Sequence, residues 1–172
     1  EQVTFSLRQA VAPSWTVLGT VEWTNWSRLG DVAATGSGCG PTGVCEVLNL
    51  NYRDGWFYSL GAEYAYMPGL TLRAGVAYET SPITDRTRDI LVPDSNRVFL
   101  SAGASYTYSE HIVLDFGYAH VFFADASFCI ASAAANEGST HCRAGTPAGA
   151  VLLRGDSDSA ADIVSLGFRY RF

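Results

Sequence analysis

The amino-acid sequence predicts an all-β fold, an antiparallel transmembrane β-barrel to which this chain contributes about seven strands. Three observations lead to that prediction. Apolar and polar residues alternate with a period of two along most of the chain, whereas helical periodicity is hard to find. Tight turns and long loops alternate strictly between the predicted strands. Charged residues make up only 16% of the sequence, against about 25% in a typical soluble domain, so part of the surface is short of charge.

Each strand is predicted from its own alternating stretch. In LTLRAGVAYE, residues 70–79, Leu72 and Val76 lie on one face and Arg73 and Glu79 on the other. The closing stretch VSLGFRYRF behaves in the same way, with apolar residues at every second position. The predicted strands lie around residues 3–7, 16–26, 58–66, 70–79, 98–108, 113–120 and 164–172.

The connections between these strands are of two kinds. Tight turns are expected at residues 12–14, 67–69 and 109–111, and long loops at residues 28–56, 81–96 and 124–162. In an antiparallel meander this alternation places every tight turn at one end and every long loop at the other. Outer-membrane barrels have short periplasmic turns and long outside loops. We therefore expect extracellular long loops and a periplasmic C terminus in a Gram-negative outer membrane.

The chemistry of the two faces favours a barrel over a soluble β-sandwich, which stays the alternative fold. The polar face carries mainly Ser, Thr, Gly and Ala with isolated charges, as a lumen wall does, whereas a soluble sheet exposes a charged face. Tyr, Trp and Phe lie near strand ends on the apolar face, as in an aromatic girdle. Seven strands is an odd number, and an open edge in lipid leaves backbone groups unpaired. We therefore expect either that the chain is the C-terminal portion of a larger barrel or that more copies or segments complete it.

Composition excludes several other classes of protein. No apolar run reaches the roughly 18 residues of a transmembrane helix, and the N-terminal residues do not resemble a signal peptide. The net charge of −6 argues against nucleic acid as a partner. The dense basic spots are the pair Arg86 and Arg88 and the pair Arg169 and Arg171. No cofactor and no metal site is expected.

The cysteines form two local pairs, each in a loop rich in small residues. Cys39 and Cys45 delimit CGPTGVC, and Cys129 and Cys142 delimit CIASAAANEGSTHC. The even count and the loop setting favour disulfides in an oxidising compartment. A zinc site, suggested by His141 beside Cys142, and free thiols are the alternatives, but neither pair has the close spacing of zinc knuckles.

Several stretches together resemble one family, the outer-membrane long-chain fatty acid transporters of the FadL/TodX group. They are WTNWS (residues 23–27), GVAYETSP (75–82), VPDSNR (92–97), VFLSAGASY (98–106) and DFGYAHVF (115–122). The resemblance covers most of residues 15–123 and the final strand, and it is weak through the cysteine loops. It implies a fourteen-stranded barrel, plugged by an N-terminal hatch, that carries hydrophobic compounds from outside into the outer leaflet through a lateral opening.

On this resemblance, residues 1–172 are the C-terminal part of an outer-membrane β-barrel, without a hatch domain in this chain. The function it implies is uptake of long-chain fatty acids or other hydrophobic compounds. Expected partners are outer-membrane lipid and lipopolysaccharide, hydrophobic small molecules such as fatty acids, and the barrel assembly machinery. The alternative function is a surface adhesin or receptor that uses the cysteine-bearing loops.

Four residues that recur in the family pattern are interpreted as structural elements of a loop base. Pro82 and Pro93 fix φ and end strand pairing. Asp94 is expected to accept backbone N–H bonds in a turn, and Arg97 to pair with it. Ligand contact by these residues is the alternative.

The charged residues of the polar face allow two readings. They are Glu63, Arg73, Glu79, Asp115, Arg169 and Arg171. Mutual pairing that stiffens the wall is the favoured interpretation. The functional hypothesis is that Arg73, Arg169 or Arg171 binds a fatty-acid carboxylate, since arginine suits bidentate carboxylate recognition.

The last residues carry a further hypothesis. Phe168, Tyr170 and the terminal Phe172 alternate on the apolar face, in a pattern that resembles the signal read by the outer-membrane assembly machinery. Catalysis is not expected. His111 lies in a tight turn, His120 at a strand end and His141 in a long loop, and no arrangement unites a nucleophile, a base and an orienting group.

Overall fold

The structure is a computed structural model that describes residues 1–38, 43–85, 87–88, 93–131, 143–144 and 152–172. Most of the described residues lie in β-strands, and a short 3-10 helix spans Trp26–Arg28. None of the helices in these residues has the length and apolarity that crossing a membrane requires.

The described residues form twelve strands. They are β1 (Gln2–Ala12), β2 (Trp15–Thr24), β3 (Asp31–Thr35), β4 (Val44–Asn49), β5 (Gly55–Met67), β6 (Leu70–Glu79), β7 (Arg97–Thr107), β8 (Ile112–Phe123), β9 (Ala126–Ala131), β10 (Arg143–Ala144), β11 (Leu152–Ser157) and β12 (Ala160–Tyr170). One sheet contains seven of them in the order β1-β2-β5-β6-β7-β8-β12. All its pairings are antiparallel, so the seven strands predicted from alternation are confirmed.

Tight turns join the strands of this sheet at one end. Gly69, in the turn between β5 and β6, has φ of +85°, which a glycine adopts without the steric cost that other residues meet. At the opposite end, three long connections join β2 to β5, β6 to β7 and β8 to β12. The predicted alternation of short and long connections is therefore present in the structure.

The two faces of the sheet differ sharply in chemistry. Cross-strand pairing places Val21, Tyr58, Tyr78, Val98 and Phe122 in one row of the apolar face. Large apolar side chains on this face are exposed across the whole sheet, whereas the buried apolar side chains among the described residues are few. A sheet of this kind has no hydrophobic core of its own, so its apolar face requires a non-aqueous surrounding.

The long connections contain structure that alternation did not predict. The strands β3 and β4 form a hairpin, and β10, β9 and β11 form a small separate sheet. These strands are short, and they lie in segments rich in Gly, Ser and Ala, where a period-two pattern is weak. A further difference is that β2 ends at Thr24, so that Trp26 belongs to the 3-10 helix and not to the strand.

The cysteine prediction falls largely outside the described residues. Cys39 and Cys142 are not among them, and Cys45 and Cys129 lie on β4 and β9. The disulfide pairing therefore stays a prediction, as does any role for His141, which also lies outside the described residues.

Candidate functional site

A row of charged and polar side chains crosses the polar face near its tight-turn end. We call it the polar belt. It consists of one residue from each strand of the large sheet except β2: Arg8, Glu63, Arg73, Ser105, Asp115 and Arg169. Each member contacts the next, so that the contacts run without a break from β1 to β12.

Glu63 lies at the centre of the first half of the belt. Its Oε2 is 2.6 Å from Nη2 of Arg8, and its Oε1 is 2.8 Å from Nε of Arg73. Its side chain is 17% exposed, whereas those of Arg8 and Arg73 are 66% and 42% exposed. A single shielded carboxylate therefore holds two arginines that come from strands on either side of it.

Asp115 lies at the centre of the second half. Arg169 binds it in a bidentate manner, with Nε 2.9 Å from Oδ2 and Nη2 3.1 Å from Oδ1. The Ser105 hydroxyl donates to Asp115 and accepts a hydrogen bond from Arg73, which joins the two halves of the belt. Ser105 is buried, so the two hydrogen bonds of its hydroxyl are shielded from solvent.

The belt has more positive than negative charge. Three arginines face two carboxylates, and Arg171 lies close by, beyond the end of β12. Its backbone N–H donates to the His111 carbonyl at 2.9 Å, but its guanidinium has no ion pair or hydrogen bond with the described residues. Arg171, Arg169, Arg73 and Glu110 line a cavity of about 710 Å³ at the tight-turn end.

A row of glycines follows the belt on its long-loop side. On five strands a glycine lies two residues from the belt member: Gly61, Gly75, Gly103, Gly117 and Gly167. Most of these positions have little space for a side chain. A Cβ at Gly103 would lie 2.8 Å from the Phe116 carbonyl oxygen, and one at Gly117 would lie 2.6 Å from the Ser165 hydroxyl.

Gly61, Gly75, Gly103 and Gly117 form the floor of an apolar concavity, which we call the glycine lane. It has a volume of about 660 Å³ and borders the polar belt at Glu63 and Arg73. Leu18, Phe57, Phe99 and Ile163 are among its lining residues. Because the floor carries no side chains, the lane can hold an extended apolar group against the sheet. One end of that group would then lie next to the charged side chains of the belt.

The four predicted loop-base residues lie at the long-loop end of the same face. Arg97 binds Glu79, with Nε 3.1 Å from Oε2, and more loosely Asp94, with Nη1 3.5 Å from Oδ1. Asp94 accepts a hydrogen bond from the Ser81 hydroxyl at 2.6 Å. Pro82 accepts a backbone hydrogen bond from Arg53 at 2.9 Å.

Pro93, the fourth loop-base residue, lies in the described stretch that leads into β7 and is partly buried.

Arg88 is a buried arginine that links the loops at this end. The sequence identified it only as part of a basic spot. The Arg88 side chain is 6% exposed. It donates to the Asp94 carbonyl at 3.0 Å, to the Asp85 carboxylate at 2.5 Å and to the Ser127 carbonyl at 2.7 Å. Since Ser127 lies on β9, Arg88 connects the loop between β6 and β7 to the small sheet.

Asp54 anchors a second loop at the same end. Its carboxylate accepts hydrogen bonds from the Ser27 backbone N–H and from the Trp23 indole, both at 3.1 Å. Hydrogen bonds from Ser27, through its side chain and its backbone N–H, together with that from Trp23, hold the pKa of Asp54 below its ordinary value. This carboxylate is therefore stabilised in its ionised form.

His120 has a different setting from the expected one. It was expected at a strand end, but β8 continues to Phe123, and His120 lies within the strand on the apolar face, where its Nδ1 is 2.7 Å from Oδ1 of Asp162. The Tyr118 hydroxyl donates to the same oxygen at 2.6 Å. Within the described residues no serine or cysteine contacts His120, so the arrangement gives no sign of a nucleophile beside a base.

The terminal aromatic residues lie on the apolar face as predicted. Phe168 and Tyr170 are 65% and 52% exposed, and the Tyr170 and Phe172 rings meet edge to face with centroids 5.3 Å apart. Their recognition by an assembly machinery stays a prediction.

An antiparallel sheet that exposes apolar side chains on one face and pairs its charges on the other is the wall of a transmembrane β-barrel. The chain belongs to the outer membrane protein transport protein family (OMPP1/FadL/TodX), whose model matches residues 1–172. The apolar face is accordingly the lipid-facing side of the wall, and the polar belt and glycine lane lie on the lumen side.

Comparisons with individual proteins agree with this membership. The chain is 35% identical over 107 residues to a long-chain fatty acid transport protein of Escherichia coli O6:H1, a match that covers 62% of this chain and 23% of that protein. It is 33% identical over 100 residues to a 47 kDa outer membrane protein of Pasteurella multocida, covering 58% and 22%. The chain thus spans less than a quarter of the length of these curated relatives.

A solved structure shows the same fold. The crystal structure of a Pseudomonas aeruginosa FadL homologue superposes with a TM-score of 0.81 at 23% sequence identity. The superposition covers 98% of this chain and 35% of that one. The seven-stranded sheet is therefore a barrel segment, and the family places it in the Gram-negative outer membrane.

Proposed function

We propose that this chain forms the C-terminal part of an outer-membrane barrel that takes up long-chain fatty acids or other hydrophobic compounds. The observation that carries the proposal is the junction of the glycine lane with the polar belt. An apolar concavity that borders Arg73, with its ion-pair partner Glu63, is complementary to a molecule with an alkyl chain and a carboxylate. The name of the similar Escherichia coli protein, a long-chain fatty acid transport protein, supports the same substrate class.

Beside the polar belt, Arg171 is the residue best suited to first contact with a carboxylate. Arg73 and Arg169 are already engaged by Glu63 and Asp115, so a ligand must compete with those carboxylates for them. Arg171 lines the cavity at the tight-turn end together with Arg73 and Arg169, and its guanidinium has no such competitor among the described residues. In this proposal Arg171 binds the carboxylate, while Arg73 and Arg169 supply positive potential around it.

The orientation of the wall is part of the proposal. The tight turns and the C terminus are periplasmic, and the long connections are extracellular and bear the cysteines as disulfides. Phe168, Tyr170 and Phe172 are the signal for the assembly machinery, and lipopolysaccharide surrounds the long-loop end. The loop base around Pro82, Pro93, Asp94 and Arg97 is structural, and the protein acts without catalysis or a cofactor.

The test is uptake of radiolabelled oleate by cells that lack their own fatty acid transporter and express the full-length protein. We expect uptake above the vector control, and an increase of several-fold in the oleate concentration for half-maximal uptake in Arg171→Ala. Arg28→Ala is the matched control, because Arg28 pairs with Glu1 in the N-terminal part of the chain. Vector-level uptake by a protein shown to be inserted in the outer membrane would contradict the proposal.

Loop deletions separate transport from adhesion. Removal of residues 36–44 or 130–141 leaves the large sheet intact, so transport predicts that oleate uptake persists. If both deletions abolish attachment to host surfaces and the intact protein transports nothing, the adhesin alternative is the better account.

A further inference from the structure

A second apolar concavity lies on the lipid-facing side, across the wall from the glycine lane. We call it the outer groove. It has a volume of about 540 Å³. Its side chains form two neighbouring rows of the sheet, Phe5, Val21, Tyr58, Tyr78 and Val98 in one and Leu7, Leu60 and Val76 in the other. None of the residues that line it is charged.

Gly19 creates the opening in the second row. It pairs with Leu7 on one side and Leu60 on the other, and it provides no side chain between them. Leu7 and Leu60 are 58% and 60% exposed, so they form prominent walls around a gap.

Packing does not explain why this position is a glycine. The nearest atom to a Cβ built at Gly19 is the Ser59 carbonyl oxygen at 3.7 Å, an ordinary van der Waals distance. Gly19 also lacks the positive φ that would favour glycine. At Gly103 and Gly117, by contrast, a Cβ would collide with its neighbours. The lack of a side chain at Gly19 keeps the groove open.

The outer groove begins directly below an aromatic cluster at the long-loop end. Trp56 and Tyr58 stack with ring centroids 5.9 Å apart, Trp23 pairs with Trp56, and Tyr58 pairs with Tyr78 across the strands. Trp and Tyr in such positions mark the level of the lipid headgroups. The groove therefore lies at the depth of the first part of the acyl chains.

The direction of the groove suits an acyl chain. Strands of outer-membrane barrels are tilted by about 35–45° from the membrane normal. The rows run across the strands, so they also descend obliquely through the leaflet. A chain that enters at the aromatic cluster can follow the rows toward Gly19, while its headgroup stays beside the Tyr58 and Tyr78 hydroxyls.

We propose that the outer groove is a binding site for one acyl chain of a membrane lipid in the leaflet at the long-loop end. The occupant is hydrocarbon because the lining is apolar and uncharged, and it is a lipid because the groove opens to the bilayer and begins at headgroup level. The proposal is independent of transport through the lumen, since it concerns the opposite face of the wall.

The test compares lipid retention by variants of the full-length protein. The protein is purified in detergent micelles, supplied with lipid A, the acylated part of the lipopolysaccharide that the proposed orientation places in this leaflet, and examined by native mass spectrometry. Gly19→Leu fills the opening without a backbone collision, and Val76→Phe narrows the groove from another strand. Ala104→Leu is the matched control, because Ala104 is on the same face, between Leu72 and Phe116, and does not line the groove.

We expect the wild type and Ala104→Leu to retain one lipid more than the two groove variants. The apparent affinity for that lipid should fall about tenfold, the change that corresponds to about 1.4 kcal/mol. Equal retention by wild type and both groove variants, or an equal loss in Ala104→Leu, overturns the proposal. So does a second arm with palmitic acid in which the free acid binds in a Gly19-dependent manner and lipid A does not. The difference in gel mobility between unheated and heated samples verifies that each variant is folded.

Discussion

Replacement of Glu63 by Gln tests whether the polar belt acts on anionic ligands. The change keeps the size of the side chain and removes the charge that holds Arg8 and Arg73. The belt then has three arginines against one carboxylate, so its net charge rises by one unit. Because the pairs involve partly exposed arginines, each is worth about 0.2–1 kcal/mol, and we expect only a small loss of stability.

The effect on a bound carboxylate follows from the added positive charge. One unit charge at about 8 Å contributes about 2 kcal/mol at an effective dielectric constant near 20 and about 0.5 kcal/mol in water. The lumen wall lies between these limits, and about 1 kcal/mol corresponds to about fivefold in affinity. We therefore expect Glu63→Gln to bind oleate about fivefold more tightly than wild type, although an ion pair has been removed.

Equilibrium dialysis of radiolabelled oleate and oleyl alcohol against the protein in detergent provides the measurement. The alcohol has the same chain without the charge, so its affinity should be unchanged, and the gain for oleate should shrink at high salt. Glu79→Gln is the matched control, since it removes the same charge at the other end of the lumen, where Glu79 pairs with Arg97. If the ratio of oleate to alcohol affinity is the same in Glu63→Gln and wild type, the electrostatic reasoning is wrong.

Three further predictions concern stability. Gly103→Ala should destabilise the protein by about 1–3 kcal/mol, because its Cβ meets the Phe116 carbonyl, whereas Gly30→Ala, with open space around it, should be neutral in urea unfolding in micelles. Arg88→Ala should increase hydrogen exchange in β9 and cost about 1–3 kcal/mol; unchanged exchange there would show that Arg88 does not hold the small sheet. Because the pKa of Asp54 is lowered, its stabilising effect is complete above the ordinary value of 3.8 and is lost as the pH falls below it. Tryptophan fluorescence should therefore report loosening of the Trp23 contact at acidic pH in wild type, and Asp54→Asn should show the loosened signal already at neutral pH.

The strands could be predicted from the sequence because a period-two pattern depends only on local order. Arg73 and Arg169 were assigned to the polar face by the same rule. Their partners could not be assigned, since partners depend on register between strands. Arg8 shows the difficulty, because it contacts Glu63 on β5 although β2 lies between them.

One signal in the sequence was available and was missed. Gly-x-Glu at 61–63, Arg-x-Gly at 73–75, Gly-x-Ser at 103–105, Asp-x-Gly at 115–117 and Gly-x-Arg at 167–169 repeat one spacing on five strands. The order of the two residues reverses with strand direction, as it must when neighbouring strands are antiparallel and the glycines share one side of the belt. Arg88 had no comparable signal, because its partners come from the loop between β6 and β7 and from β9.

Glycine occurs in this wall for two different physical reasons, one on each face. This difference allows the two proposals to be tested independently. On the lumen side, a Cβ at Gly103 would lie 2.8 Å from the Phe116 backbone carbonyl oxygen, so glycine is required there and the glycine lane is tied to the packing of the sheet. On the lipid side, Gly19 has room for a side chain and is not required by the fold. A ligand effect at the belt must depend on charge and weaken with salt, whereas lipid retention in the outer groove must depend on shape and be insensitive to salt. The predictions for Glu63→Gln and Gly19→Leu can therefore be confirmed or refuted separately, and neither result can be mistaken for the other.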